Sequence, residues 1–370
     1  MKVKAAVCRE ANKPLSIEEL ELDAPKANEV LVKFAYTGWC RSDYHLVKGE
    51  IPIAMPFVIG HEAAGVVQEV GPGVTHLEKG DHVVTTWMIP CGHCPNCLEG
   101  KGYLCQTNFG PFLDGKLLDG TTRLKDKNGE EVLHGNFVSG FSNYSVVPAQ
   151  GALKVRKDLP LDQACFLGCC VPTGWGAVYN VAKVRPGESV AVWGMGGVGL
   201  NVIRAAKLRL ANPIIAVDLE GSKEAIAREF GATHFIDNSK EDPVPLIMNE
   251  IAPGGVQYAF EAIGDSGAIV QAWWSTAMGA RMVIPGITPH NDSTPMPLML
   301  LPLHEKAIMG TLYGNVNTTV DIPRLMDLAT TGDLKLDKLI DRYFKLEEIN
   351  DIVDMMQNRQ IKGRAVCKWD

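Results

Sequence analysis

Apolar residues are distributed in two distinct ways along the chain. Up to about residue 170 they come in short runs, Val30–Tyr36, Ala64–Val70 and His82–Thr86 among them, cut by Gly38, by Gly71-Pro72-Gly73 and by Lys79-Gly80-Asp81. Short apolar runs with frequent turn residues predict an irregular β domain. The pattern changes near Val171. Apolar strands at Ser189–Trp193 and Ile214–Asp218 then alternate with helical periodicity at Gly197–Leu210 and Ser222–Phe230. Such alternation predicts a parallel sheet covered by helices, an α/β doubly wound arrangement. After about Thr311 the pattern is mixed again, with helices expected at Ile322–Thr330 and Leu346–Asn358 and a closing strand at Gly363–Lys368. The pattern thus divides the chain near residues 170 and 312. The segment Thr107–Asn136 is polar and rich in Gly and Lys, and reads as an extended surface lobe.

Composition narrows the classes. With 370 residues, 46% of them hydrophobic, the chain can bury a large core and form two domains. A net charge of −7 with mixed signs argues against a nucleic-acid partner. No apolar run approaches the ~20 residues that span a bilayer, and the first fifteen or so residues hold no signal-peptide core. The expectation is a cytoplasmic protein without a membrane partner, whose ten cysteines are thiols or metal ligands.

Four of those cysteines, Cys91, Cys94, Cys97 and Cys105, form two Cys-x-x-Cys steps and one further thiol. Four thiolates can enclose one Zn²⁺ tetrahedrally and leave no position for substrate, so this is a structural zinc site. The alternative is a disulfide cluster, and nothing else in the chain points to secretion. His93 lies among these thiols but outside the ligand spacing.

Gly194-Met-Gly196-Gly197-Val198-Gly199 leaves a predicted strand and opens a predicted helix. This is the context in which G-x-G-x-x-G binds a dinucleotide. Gly194 permits the tight turn, Gly196 lets the backbone approach the pyrophosphate, and Gly199 allows close helix–strand packing. Asp218 ends the next strand, where a carboxylate accepts from the ribose hydroxyls and repels a 2′-phosphate, which favours NAD over NADP. Lys223 lies within reach of the same ribose.

Three further segments complete the pattern: Thr37-Gly-Trp-Cys-Arg-Ser-Asp43, Gly60-His-Glu62 and Leu167-Gly-Cys-Cys-Val-Pro-Thr-Gly-Trp-Gly176. Together with the two motifs above, they resemble the zinc-dependent medium-chain alcohol dehydrogenases essentially from end to end. The resemblance implies a GroES-like catalytic domain from residues 1–170 and 313–370, made from both chain ends, a Rossmann cofactor domain from 171–312, two Zn²⁺ per subunit, NAD, an alcohol or aldehyde substrate and a homodimer. It implies a catalytic zinc held by Cys40, His61 and Cys169 with one open position. Cys170 is the rival third ligand, and Cys169 is preferred because it sits between Leu-Gly and Thr173-Gly174 at the family's spacing. Glu62 adjoins a ligand, and Asp43 would orient His61, since metal-bound imidazoles need a partner on the second nitrogen. Arg41 would contact the pyrophosphate, and Thr173 and Val198 the nicotinamide. Lys362 lies where the family often has a pyrophosphate-binding Arg. Ser42 and His45 would form a proton relay, the hydroxyl passing the proton through the ribose to an imidazole at the surface; the plainer reading of His45 is a surface histidine.

The implied activity is reversible oxidation of alcohols by NAD⁺. Trp87, four residues before Cys91, would line the substrate channel and favour primary alcohols with apolar or aromatic tails; alternatively it fills core. The glutathione-dependent formaldehyde dehydrogenase branch carries an arginine four residues after the last structural cysteine, where this chain has Phe109, which cannot pair with a carboxylate. Val171-Pro-Thr-Gly-Trp-Gly176, Glu305-Lys306, Gly310-Thr-Leu-Tyr-Gly314 and Asp321-Ile-Pro-Arg324 resemble the bacterial nitrosodimethylaniline-dependent branch. Some members of that branch keep NAD(H) bound and pass hydride to a second acceptor. A nucleotide-binding scaffold on the same fold would lack the zinc ligands, and all three are present.

Overall fold

A computed structural model describes residues 1–369, which form two compact units: 1–169 with 317–370, of which Asp370 lies outside the description, and 170–316.

The first unit is built on two sheets. Strands Lys2–Cys8, Ser16–Leu22, Leu124–Lys125, Glu131–His134 and Phe57–Val58 close into a small barrel. A seven-stranded sheet runs Ala152–Lys154, His82–Thr85, Glu62–Val70, Glu29–Gly38, Arg364–Lys368 and Ile340–Phe344, with Tyr144–Pro148 paired to Glu29–Gly38. The closing strand Arg364–Lys368 runs antiparallel to Glu29–Gly38, with Val366 opposite Gly38. That pairing carries residues from the far end of the chain to the segment leading into Cys40.

The reading of Thr107–Asn136 as a surface lobe is corrected here. The segment holds a helix, Gln106–Leu113, but also two barrel strands. Leu117, Leu124 and Val132 are fully buried in it. Its polar look comes partly from an internal ion pair. Arg123, fully buried, donates to both carboxylate oxygens of Glu29 (2.9 and 2.5 Å) and to Asp119 at 2.8 Å. Buried charge of this kind persists only when paired, and a charged residue therefore masks a core position in the sequence.

The second unit is a six-stranded parallel sheet in the order His234–Asp237, Ile214–Asp218, Val190–Trp193, Val256–Glu261, Thr276–Ile284, Ala307–Gly310. This is the dinucleotide-binding order, in which the ligand crevice lies at the carboxyl ends of the strands where the order reverses. Ala191, Val192, Ile214, Ile215, Ala216 and Ala259 are fully buried, because helices cover both faces of such a sheet. The helix Gly197–Leu208 starts immediately after the central strand. Among the described residues, no helix is long and apolar enough to cross a membrane.

Candidate active site

Cys40 ends a strand-to-helix connection and caps the short helix Arg41–Val47. The cap places Asp43. Its Oδ2 accepts the Cys40 N–H at 3.2 Å, while Cys40 O accepts the Asp43 N–H at 3.1 Å. The other carboxylate oxygen is then free to meet His61, whose Nδ1 lies 2.9 Å from Asp43 Oδ1. One fully buried carboxylate thus fixes both the Cys40 backbone and the His61 ring. The ring's Nε2 is the nitrogen left for a metal.

Cys40, His61, Glu62 and Cys169 converge: one ligand atom from each lies within 4.8 Å of all the others, and all four residues are buried. Cys170 is outside this group. The Cys169 thiol, followed by Arg364 and His61, holds the Cys40 thiol well below the usual thiol range against burial, which raises it. Burial pulls His61 down, but Asp43 and Cys40 more than offset it and hold the imidazole well above its usual value. The site therefore favours positive charge at its centre. Two thiolates, an imidazole and a neighbouring carboxylate are a donor set suited to zinc.

Arg364 completes the site, and the sequence reading missed it. Its guanidinium makes a forked contact with Glu62, Nε to Oε2 at 3.0 Å and Nη2 to Oε1 at 3.1 Å, and Nη2 also lies 3.5 Å from Cys40 Sγ. Both partners are buried. The fork holds Glu62 within the donor group. The available signal was an arginine inside an apolar closing strand, which needs a buried acceptor. Lys362, the cation named from the sequence, is exposed two residues earlier.

The relay candidates lie on the helix that follows Cys40. Ser42 is half-buried. His45 is not at the surface. It is 3% exposed, and its Nδ1 pairs with Glu50, a residue the sequence reading did not single out. Arg41 is half-buried, and its Nε is buried without a hydrogen-bond partner among the described residues. Trp87 packs edge-on to the His61 ring, centroids 6.2 Å apart at 82°. Beyond it, Phe112 lies 5.6 Å from Trp87, and Phe109 stacks on Phe112 at 6.2 Å. Both phenylalanines come from the helix after Cys105.

Cys91, Cys94, Cys97 and Cys105 form the second donor cluster, again within 4.8 Å of one another. Cys91 N–H donates to the Cys105 sulfur and Cys94 N–H to the Cys91 sulfur, both at 3.3 Å. The Thr107 hydroxyl first, then the amides of His93 and Cys94, bring the Cys91 thiol down to about 5, while burial pushes Cys97 up to about 12. His93 accepts no role in the cluster; its Nδ1 meets Cys91 O at 2.9 Å and braces the turn. Among the described residues none of the ten cysteines forms a disulfide, and the four-sulfur set suits a closed zinc site.

In the second unit, Gly194 has φ +93°, and a Cβ on Gly199 would stand 1.7 Å from Gly194 O. Both positions exclude a side chain for internal reasons. Gly196 differs: a Cβ there meets no atom within 4 Å. Its bareness leaves a cradle beside the helix start, which suits a pyrophosphate. Gly197 is buried and Val198 half-buried at that start, and Thr173 is buried in the helix Cys170–Gly176. Asp218 Oδ2 accepts Met195 N–H at 2.6 Å, and Lys223 Nζ lies 3.1 Å from the same oxygen. The carboxylate is thereby fixed at the end of its strand, with Lys223 beside it.

With this geometry in hand, the comparisons with known proteins are specific. Residues 26–157 match the alcohol dehydrogenase GroES-like domain and residues 197–331 the zinc-binding dehydrogenase domain. The chain is 39% identical over 366 residues to alcohol dehydrogenase class-3 of Cereibacter sphaeroides, covering 96% of this chain and 97% of that protein. It is 37% identical over 370 residues to the NDMA-dependent alcohol dehydrogenase of Amycolatopsis methanolica, covering 98% of each. The crystal structure of benzyl alcohol dehydrogenase from Acinetobacter calcoaceticus superposes with a TM-score of 0.92 at 31% identity, covering all of both chains. Two zinc donor sets, a dinucleotide fold and relatedness along the whole length agree: the chain belongs to the zinc-dependent, NAD-dependent medium-chain alcohol dehydrogenases.

Proposed function

We propose that this alcohol dehydrogenase acts on primary alcohols with aromatic or apolar tails, and on the corresponding aldehydes. The observation that carries the reading is the aromatic array running from His61 through Trp87 to Phe112 and Phe109. An aromatic substrate gains about 0.5–1.5 kcal/mol per ring pair beyond area burial, a gain a short aliphatic alcohol lacks.

The residue roles follow from the same reading. Cys40, His61 and Cys169 hold the catalytic zinc, with Glu62 braced beside them by Arg364; the four thiols at 91, 94, 97 and 105 hold the structural one. The catalytic zinc, when bound, supplies a Lewis acid that lowers the pKa of the alcohol. Ser42 takes the alcohol proton, and His45 carries it onward. Arg41 and the bare Gly196 hold the pyrophosphate, Asp218 and Lys223 the adenosine ribose, and Thr173 and Val198 support the nicotinamide. Lys362, being exposed, adds positive charge at the periphery. A homodimer working in a reducing cytoplasm fits the same picture.

The test is the initial rate of NADH formation by desalted, zinc-loaded protein with ethanol, hexanol, benzyl alcohol and S-(hydroxymethyl)glutathione. Benzyl alcohol is expected to have the highest kcat/KM, and Trp87→Ala to cut its advantage over hexanol about tenfold, one strong ring pair's worth. Preference for the glutathione adduct would refute the reading; the phenyl ring of Phe109 supports no carboxylate contact. The similarity to an NDMA-dependent enzyme favours a second reading in which NAD(H) stays bound. Nicotinamide absorbance surviving desalting, with no rate on added NAD⁺ but turnover with nitrosodimethylaniline, would select it.

A further inference from the structure

The relay reading leaves a gap that the structure fills. The side chain of His45 is 4% exposed, so its ring has almost no contact with water through which to lose a proton. The one hydrogen-bond partner of Nδ1 is Glu50, whose side chain is 31% exposed. We propose that Glu50 is the exit group of the proton relay: it accepts the Nδ1 proton of His45 and delivers it to solvent.

This contact is built by the backbone. The helix Arg41–Val47 ends with Gly49 at φ +67°, in the left-handed region. Gly49 N–H donates to Leu46 O at 3.1 Å, and Glu50 N–H donates to His45 O at 2.9 Å. These two bonds are the paired closure of a glycine-terminated helix. They bring residue 50 back against residue 45, so the carboxylate meets the imidazole at the point where the chain turns. A Cβ at Gly49 would come within 2.9 Å of the Ala11 Cβ, so a side chain there is opposed both by φ and by space.

The step balances without another reagent. As the proton from Ser42 arrives at Nε2, the Nδ1–H bond breaks and an O–H bond forms on Glu50. The ring ends as the other neutral tautomer, and Glu50 returns to carboxylate by losing its proton to water or buffer. Resetting the ring to the Nδ1–H tautomer takes a turn of the imidazole about Cβ–Cγ, in which Nε2 loses its proton to solvent and Nδ1 regains one through Glu50, so the reset itself gains and loses no net proton. Other charges lie on the same and neighbouring elements. Arg41, Asp43 and Lys48 share its helix and turn, and the Tyr44 ring lies 6.1 Å from His45 between Arg41 and Lys48, at 5.7 and 5.5 Å. From the helix Ile349–Gln357, which shares a core cluster with Leu46 and Val47, Asp351 and Asp354 are exposed. Of these groups, Glu50 is the one bonded to the ring.

The proposal rests on the dehydrogenase reading and on His45 as relay, so both are measured with it. Zinc-loaded protein is assayed with NAD⁺ and benzyl alcohol across pH, at low and high buffer concentration. Glu50→Gln, which keeps shape and removes the proton acceptor, is expected to lower kcat at least tenfold at low buffer with little change in KM for NAD⁺. Glu50→Ala should lose as much and recover with added acetate or with buffer concentration, whereas wild type should respond to neither. A group that only braces the helix end gives no buffer-dependent rate. A second readout needs no turnover: in ¹⁵N-histidine-labelled protein the Nδ1–H of His45 should give a protected resonance that Glu50→Ala abolishes. If His45→Gln loses activity while both Glu50 variants keep wild-type kcat, the exit role is overturned and the relay stands. If His45→Gln retains full activity, the relay falls and the role of Glu50 with it. Should Glu50→Ala fail to fold, Glu50→Gln and the wild-type resonance decide the question, and an unprotonated Nδ1 overturns the proposal.

Discussion

Asp43→Asn should strip zinc from one site and leave the other untouched. Asp43 is fully buried, and each of its oxygens is committed, Oδ2 to the Cys40 N–H at 3.2 Å and Oδ1 to His61 at 2.9 Å. Asparagine has the same shape but only one acceptor oxygen. Whichever way the amide turns, its NH₂ faces a donor, either the Cys40 amide or the imidazole N–H. A buried donor left unmet costs about 1–3 kcal/mol. The zinc-loaded state fixes Cys40 and His61 and must bear that cost, while the metal-free loop can turn away from it. The expected loss of affinity is therefore about 10- to 100-fold, or about 1.4–2.8 kcal/mol, the range for partners of metal-bound histidines. The four-sulfur cluster shares no residue with this network. In a competition titration with a chromogenic zinc chelator, the variant should surrender half its zinc at chelator levels that leave wild type loaded. Cys97→Ser, which damages the other cluster, identifies which half. If both halves loosen together, or neither does, Asp43 is not the support of the catalytic site.

Other substitutions separate binding from folding. Cys40→Ala should abolish turnover while NAD binding persists, and normal turnover would remove Cys40 from the zinc. Gly196→Ala should leave the thermal midpoint unchanged, because its Cβ meets open space, yet weaken NAD at least about tenfold in a fluorescence titration; Gly199→Ala should instead destabilise the protein, its Cβ standing 1.7 Å from Gly194 O. Asp218→Ala should relax the preference for NAD over NADP and also cost stability, since Met195 N–H loses its acceptor; an unchanged cofactor ratio would remove Asp218 from the ribose site. His134 concerns pH. Burial, then Arg123, brings it down to about 3, below its unfolded value of about 6.5, so the unfolded chain binds the extra proton between those limits and stability falls as pH falls. His134→Asn should remove about 2 kcal/mol of the wild-type loss between pH 7 and pH 5, read from urea midpoints; equal losses in both proteins would contradict a neutral buried imidazole.

Legibility in the sequence followed the range of the interactions. The cofactor unit was readable because its strands and helices announce themselves locally: the expected strand Ile214–Asp218 and the helix opening at Gly197 have those bounds in the structure. The four-sulfur cluster was readable because its ligands span one loop. The barrel strands within Thr107–Asn136 were not, because they are short and the buried charge of Arg123 breaks their apolar pattern. His45 carries no mark of burial in sequence, since its helix is only seven residues long and periodicity needs more turns to speak.

Arg364 is the harder case, and it explains why a site cannot be read from its ligands alone. It lies 302 positions from Glu62, on a strand whose neighbours are apolar. No spacing rule links the two. What links them is sheet order: Arg364–Lys368 pairs with Glu29–Gly38, which also pairs with the strand that begins at Glu62. A guanidinium placed there opposes, without cancelling, the burial that pushes the Glu62 carboxyl up. An ionised Glu62 adds a negative charge beside two thiolates, and only a strong cation at the centre or beside it makes that arrangement tolerable. Arg364 supplies one such charge permanently from outside the donor set, and offsets the charge Glu62 would add to two thiolates that already equal the charge of one Zn²⁺. The terminal strand thus sets the electrostatics of the site that the first strands and loops build.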